Sequence, residues 1–311
     1  MVKLVYLPKD ISKKGKDYLL QKGYNLKIGS GIPKISEGKK ADAIILRGAK
    51  LDSSFIDKLS NTKIIAKHGV GYENIDVDFA SKRGIWVTNT PLANAESVAE
   101  TTIALMLDLS KNIYNNSLNL HRGDFYYKRN HQGTELYKKT FGIIGFGKIG
   151  QEVAKKLQGF GMNILFYNTS EKKSHYATSV SREDLIKNSD FISLHIPMTL
   201  KNEKLFGKAE FELMKNTAFL INTSRGKVID ERALVKALKN GQIGGAALDV
   251  FSKEPLSLES PLMKLDNVLL TPHIGANSNE AMDRMALHAA TEVDRVLTGQ
   301  FPNWPVNHPN Y

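Results

Sequence analysis

The sequence predicts an α/β protein made of two doubly wound, parallel-sheet domains. Its 311 residues are about twice the length of a single typical domain. Short β-rich runs alternate with amphipathic stretches almost throughout, as expected of parallel strands joined by crossover helices. The alternation falls into two series separated by one long helical pattern.

The first series has strand candidates at 3–7, 43–46, 63–67 and 85–88, with helical spacing at 13–22, 53–59 and 77–83. A helical pattern then runs over 94–121, with apolar Val98, Ile103, Leu105, Met106 and Leu109. It is far longer than the crossovers around it and suits a bridge between domains or a subunit contact. The second series places strands at 141–144, 163–167, 191–195, 218–222, 246–250 and 268–271. A last helical pattern at 279–297 precedes a Pro-rich tail, which is expected to return to the first domain.

Composition narrows the function classes. Hydrophobic residues make up 41% and charged residues 24%, ordinary values for a soluble globular protein. No apolar run reaches the ~18 residues of a membrane span, so no membrane partner is expected. The opening MVKLVYLPKD reads as a strand and lacks the apolar core and small-residue cleavage site of a signal peptide. With no cysteine, disulfides, thiolate metal sites and a cysteine nucleophile are excluded, and a cytoplasmic location is expected. Net charge is +11, and residues 1–50 hold twelve Lys and Arg against four Asp and Glu. These lysines are scattered among apolar residues and form no basic helix. The expectation is a solvated surface that attracts anionic cofactors and acids, not a nucleic-acid interface.

The strongest single motif is Thr140-Phe-Gly-Ile-Ile-Gly145-Phe-Gly147-Lys148-Ile149-Gly150. Its glycines end one strand and open a helix, expected at 151–160. Gly145 makes the tight turn, Gly147 lets the backbone approach a pyrophosphate, and Gly150 permits close packing of helix on strand. The helix start, with Lys148 and Ile149, offers free N–H groups and a partial positive charge to an anion. Three such glycines alone are weak evidence, but strand, helix and further strand stand around them as dinucleotide binding requires. The six strands of this series are the content of a complete dinucleotide-binding sheet. At the end of the next strand a carboxylate would hold a ribose 2′-hydroxyl and repel a 2′-phosphate. The chain has neutral Asn168 there, followed by Thr169, Ser170, Glu171, Lys172 and Lys173. The hydroxyls and lysines suit a phosphate and Glu171 does not, so NAD or NADP stays open with a slight lean to NADP.

Three further segments stand at predicted C-terminal strand ends, where open α/β sheets bind ligands. They are Asn222-Thr223-Ser224-Arg225-Gly226, Asp249-Val-Phe-Ser-Lys-Glu254-Pro255, and Thr271-Pro-His273-Ile-Gly275. Carbonyl reduction asks for these residue types. Negative charge grows on the carbonyl oxygen as hydride arrives, and a histidine with near-neutral pKa can donate the proton. A carboxylate on its other nitrogen fixes the tautomer, and an arginine can grip a substrate carboxylate in a bidentate fork. His, Asp and Glu show no pairing typical of a metal site.

With these motifs in this order and spacing, the sequence resembles the D-isomer-specific 2-hydroxyacid dehydrogenase family over nearly its whole length. The resemblance implies that Arg225 binds substrate, Glu254 is the carboxylate partner and His273 the acid/base. By the same resemblance Asp249 holds the nicotinamide carboxamide, with Thr223, Ser224 and Gly275 on the cofactor side. His195-Ile-Pro197 is similar to the turn beside the adenosine. The loop Lys67-His-Gly-Val70-Gly71 resembles the one whose N–H groups receive the substrate carboxylate. The implied layout is a Rossmann cofactor domain, 100–284, inserted into a flavodoxin-like substrate domain of 1–99 plus 285–311. Asn94-Ala-Glu-Ser-Val-Ala-Glu100 is similar to the start of a linking helix used in dimer contacts, so a homodimer is implied. Pro302 and Val306-Asn307 resemble the C-terminal return. Tyr72, Tyr126 and Tyr127 shape the substrate pocket or simply pack.

The expected activity is reduction of a small 2-keto acid to a D-2-hydroxy acid. Alternatives are a 3-phosphoglycerate dehydrogenase, expected here without the regulatory extension many such enzymes carry, and a non-catalytic cofactor-sensing protein of corepressor type.

Overall fold

A computed structural model describes residues 2–309, which form two compact units. One runs to Asn94 and resumes at Ala276; the other is Ala95–Gly275.

In the first unit the chain order is β1 (Leu4–Leu7), α1 (Lys13–Gln21), β2 (Asn25–Ile28), α2 (Ile35–Gly38), β3 (Ala43–Leu46), α3 (Ser53–Ile56), β4 (Ile64–Lys67), α4 (Val77–Lys82) and β5 (Trp86–Thr88). The strands form one parallel sheet in the order β2-β1-β3-β4-β5, the flavodoxin-like arrangement. Strands β3 and β4 are buried along their whole length, which is why they read as unbroken apolar runs. Helices α3 and α4 start where Asp52 and Asp76 accept from backbone N–H groups of the first turn.

The second unit holds α5 (Ala95–Lys111), α6 (Ile113–His121), β6 (Thr140–Ile144), α7 (Lys148–Lys156), β7 (Asn163–Tyr167), β8 (Thr178–Ser179), α8 (Arg182–Asn188), β9 (Phe191–Leu194), α9 (Lys208–Leu213), β10 (Phe219–Asn222), α10 (Glu231–Lys239), β11 (Gly245–Leu248) and β12 (Val268–Leu270). Its seven parallel strands run β12-β11-β10-β9-β6-β7-β8. After β6 the chain adds β7 and β8 on one side, then returns to place β9 on the other. The carboxyl ends of β6 and β9 therefore flank the switch point at which such sheets bind ligands.

Helix α11 (Asn279–Leu297) belongs to the first unit and packs its alanines on the sheet. Its Glu292 is fully buried and accepts from Asn303 Nδ2 and Trp304 N–H, each at 3.0 Å. Burial pushes the Glu292 carboxyl above its ordinary pKa, against the opposing pull of those donors and Arg295. The tail returns to β5 as expected: Val306 N–H donates to Val87 O, and Asn307 Oδ1 accepts from Val87 N–H at 2.7 Å.

Several elements differ from the sequence expectation, among them two helices and two strands. The single helix expected over 94–121 is two, because Asn112 adopts a left-handed conformation (φ 54°), which asparagine tolerates better than most residues. The helix after the glycine turn begins at Lys148 and not at 151, and 157–160 is a 3₁₀ turn. Strands β2 and β8 are additional. Among the described residues no helix is long and apolar enough to cross a membrane.

Candidate active site

The glycine turn sits directly after β6. Gly145 has φ +95°, and a Cβ there would lie 2.4 Å from His195 O. A Cβ on Gly150 would meet Gly145 O at the same 2.4 Å. Both positions therefore exclude a side chain for reasons internal to the protein. Gly147 is different: its Cβ position has nothing within 4 Å. It is the N-cap of α7, and no acidic side chain stands in that helix's first turn. Lys148, Ile149 and Gly150 thus present first-turn N–H groups beside a bare backbone, a cradle that fits a pyrophosphate.

Asn168, just past β7, braces this turn. Its Oδ1 accepts from Phe146 N–H at 3.0 Å, while its Nδ2 donates to the backbone and hydroxyl oxygens of Ser170, both at 2.9 Å. Thr169, Ser170, Lys172 and Lys173 are exposed beyond it. On the other side of β6, His195 Nε2 lies 3.0 Å from Ser193 Oγ, and its Nδ1 has no hydrogen-bond partner among the described residues. Burial lowers its pKa to about 4, so the ring is neutral. Pro197 is exposed two residues on.

After β10, Asn222 shapes the Arg225 turn. This fully buried amide accepts from both Ser224 N–H (3.0 Å) and Ser224 Oγ (2.8 Å), and its Nδ2 donates to Arg225 O at 3.0 Å. The Arg225 guanidinium donates to Ser224 O at 2.7 Å. The backbone then presses on the chain after β11, for a Cβ on Gly226 would fall 1.9 Å from the Phe251 carbonyl carbon. Thr223 Oγ1 lies 3.0 Å from Thr102 Oγ1 of α5. Because the Thr102 hydroxyl donates to Val98 O (2.8 Å), the Thr223 hydroxyl must be the donor between the two. Only its lone pairs remain for a ligand.

His273 and Glu254 meet at the edge of the same sheet. Nδ1–H of His273 donates to Glu254 Oε2 at 2.8 Å, and Glu254 Oε1 accepts from Phe251 N–H at 3.1 Å. The bond from Glu254 raises the His273 pKa; burial opposes it, the charges of Glu254 and Asp249 add to it, and Arg225 subtracts. For Glu254, burial works upward, but the His273 bond and charge, Phe251 N–H and Arg225 together carry its carboxyl below the ordinary value. Glu254 is thus an anion that orients His273 through Nδ1. Asp249 is 1% exposed and accepts from Thr271 Oγ1, Ile274 N–H and Gly275 N–H. A cavity of ≈ 600 Å³ lined by Phe251, Leu256, Met263, Leu270 and Pro272 opens beside the pair.

All the cofactor candidates and all three catalytic candidates named from the sequence therefore lie in the Ala95–Gly275 unit. Val70 and Gly71 lie in the first unit, in the loop after β4, where Asn89 Nδ2 donates to Val70 O at 2.8 Å. His68 before them is buried, which lowers its pKa to about 4. Tyr127 stacks on His131 at 3.7 Å and Tyr126 lies under Arg129, so both have local packing partners. Tyr72 is exposed. Sequence reasoning gave no role to Asn222, Thr102 or Thr271. For Asn222 and Thr271 the available signal was their place inside motifs already singled out.

The fold and the glycine cradle define a dinucleotide-binding α/β domain. A family profile described as "D-isomer specific 2-hydroxyacid dehydrogenase, NAD binding domain" matches residues 103–275. The D-3-phosphoglycerate dehydrogenase of Methanocaldococcus jannaschii is 41% identical over 302 residues, covering 94% of this chain and 57% of that protein. The chain thus spans little more than half of that relative's length. The glyoxylate reductase of Thermococcus litoralis is 42% identical over 280 residues, covering 86% of this chain and 84% of that protein. Among solved structures, a Thermus thermophilus protein superposes with a TM-score of 0.92 at 32% identity, over 98% of this chain and 100% of the other. An acyclic imino acid reductase in complex with NADPH and D-Arg gives 0.89 at 28%, over 98% and 100%. The D-lactate dehydrogenase from Aquifex aeolicus, complexed with NAD and lactic acid, gives 0.87 at 30%, over 99% and 100%. The chain belongs to the D-isomer specific 2-hydroxyacid dehydrogenase family.

Proposed function

We propose that this chain interconverts a small 2-keto acid and its D-2-hydroxy acid with a nicotinamide cofactor. The observation that carries the reading is the 2.8 Å pair of His273 and Glu254, on the sheet that also bears the glycine cradle. Relatives named glyoxylate reductase and D-lactate dehydrogenase support it.

In this reading bound NAD(P)H supplies the hydride. The Arg225 guanidinium pairs with the substrate carboxylate; within the first unit, Val70 and Gly71 are the residues we propose for substrate binding. His273 Nε2–H donates the proton to the carbonyl oxygen as charge develops there, and takes it back in the oxidative direction. Glu254 holds Nδ1–H and stabilises the charged ring. The first-turn N–H groups at Gly147–Gly150 receive the pyrophosphate. Thr223, Ser224, Asp249 and Gly275 face the nicotinamide end, and His195 and Pro197 the adenosine end. Asn168, Thr169 and Ser170 form the neutral site at the adenosine ribose, which suits either cofactor and leans to NADP. The functional division we propose gives substrate to the first unit and cofactor to the Ala95–Gly275 unit, so the expected limits at 99/100 and 284/285 shift to keep α5 and α11 whole.

The test is nicotinamide absorbance followed with a panel of 2-keto acids, NADH and NADPH in parallel. Turnover ranks substrates and cofactors; cofactor binding without turnover of any acid overturns the reading. A second reading, oxidation of 3-phosphoglycerate, is favoured by the 94% of this chain that aligns with a phosphoglycerate dehydrogenase, and that acid belongs in the panel. We also propose a homodimer. Ile113, Tyr114, Leu120, Phe125 and Tyr126 on and just after α6 are each 55–59% exposed, an apolar surface that a second copy would cover. Light scattering coupled to size exclusion decides this.

A further inference from the structure

We propose that Thr271 is a positioning residue for His273, acting through the buried carboxylate of Asp249; the proposal rests on the role given to His273 above. Thr271 directly follows β12 and Asp249 directly follows β11, so the two stand side by side at the carboxyl end of one strand pair. The Thr271 hydroxyl donates to Asp249 Oδ1 at 2.6 Å. The same oxygen accepts Ile274 N–H at 2.7 Å, and Oδ2 accepts Gly275 N–H at 2.8 Å. The backbone closes round this carboxylate, with His273 N–H shared between Asp249 O (2.9 Å) and Thr271 O (3.0 Å). Ser97 Oγ of α5 fixes the far end by donating to Gly275 O at 2.9 Å.

The turn needs this hold. His273 sits at φ +54°, in the left-handed region that is uncommon for a residue with a Cβ, although histidine enters it more readily than most. Of the three donors to Asp249, Thr271 supplies the one from a side chain, and it is the shortest. Removing the hydroxyl leaves a buried carboxylate oxygen with one donor fewer and frees it to rotate. The turn can then relax and draw His273 away from Glu254. The charged groups that bear on His273 are Glu254, Asp249 and Arg225, and the Glu254 bond is the largest of the influences raising its pKa. A loosened pair therefore lets the His273 pKa fall back toward its ordinary value.

The experiment compares the full chain with Thr271→Val, which keeps the volume, and Thr271→Ser, which keeps the hydroxyl. His273 is titrated by NMR without substrate, with its resonance assigned from His273→Gln. In Thr271→Val its pKa is expected to fall by about half a pH unit or more. The kcat for 2-keto acid reduction should fall about tenfold, with KM nearly unchanged. Thr271→Ser should restore both. Wild-type titration and kcat in Thr271→Val would overturn the proposal. So would a loss of thermal stability and cofactor affinity with the His273 titration unmoved, since that marks a purely structural residue. Should Thr271→Val fail to fold, Thr271→Ala is read by the same criteria. If the wild-type chain turns over no acid, the proposed function falls, while the titration still decides the positioning.

Discussion

The N–H of Phe146 donates to Oδ1 of Asn168, 3.0 Å away. The residue just past β7 is thereby built into the glycine turn that follows β6, and its amide is committed on both sides. Asn168→Asp keeps the acceptor for Phe146, loses the donor to Ser170 and adds a negative charge where a 2′-phosphate would lie. NADPH affinity should fall about tenfold or more relative to NADH. Fluorescence titration of each cofactor checks this, and an unchanged ratio would remove Asn168 from cofactor choice.

In the proposed mechanism, because Glu254 raises the His273 pKa, the proton donor persists to higher pH than an ordinary histidine allows. Reduction should lose rate as pH rises through that raised value. Glu254→Gln should move this limb to lower pH and cut the rate at mildly alkaline pH by about 10²-fold. The stability sign follows: the folded-state pKa of His273 lies above the unfolded one, so its part is fully present below about pH 6.5 and is lost as pH rises through the raised value, while Glu254, held below its ordinary value, adds a part that is lost as pH falls through that lowered value. Rate profiles and melting temperatures across pH 5–9 test both.

Gly226 is fixed by the approach of Phe251 and not by its own backbone angle. Gly226→Ala would drive a methyl into the Phe251–Ser252 peptide, and relief requires moving either the Arg225 turn or the segment that holds Glu254. A stability loss of about 1–3 kcal/mol is expected, with kcat falling further than the melting temperature would suggest. Chemical denaturation alongside kinetics separates the two.

Buried Glu292 should behave as a tether for the tail. Glu292→Gln removes a desolvated acid but keeps only one acceptor and turns its NH2 toward the other donor, so it should cost about 1 kcal/mol. Glu292→Leu strands both donors and should cost about 1–3 kcal/mol. Since the folded carboxyl pKa is raised, wild-type stability should fall as pH climbs through it, a slope absent in the Gln variant. Denaturation midpoints from pH 4 to 7 measure it.

Much of this architecture was legible in the chain because its signals are local. The strands at 43–46 and 163–167 and the helix at 279–297 match their expected bounds, and the glycine motif marks the switch point. Strand β2 escaped notice because three of its four residues are exposed at a sheet edge, leaving no buried face to set a period. The break at Asn112 was hidden by apolar spacing that continues on both sides of it. The parts of Asn222, Thr102 and Thr271 were illegible for another reason. Thr102 meets a residue 121 positions away and Thr271 one 22 positions away, and no pattern along the chain records such pairs. Even the three hydrogen bonds Asn222 makes within its own turn say nothing until the turn is seen.

The open space at Gly147 has a practical corollary. A methyl at 145 or 150 strikes backbone, so selection for a folded chain alone would reject it. A methyl at 147 strikes no protein atom, and its φ of −75° suits alanine. A Gly147→Ala chain should express and melt like its parent yet obstruct the approach of a dinucleotide. Any survey that ranks substitutions by solubility or heat resistance would pass it as harmless. The one glycine of the three that folding can spare is the one whose loss only a ligand would notice.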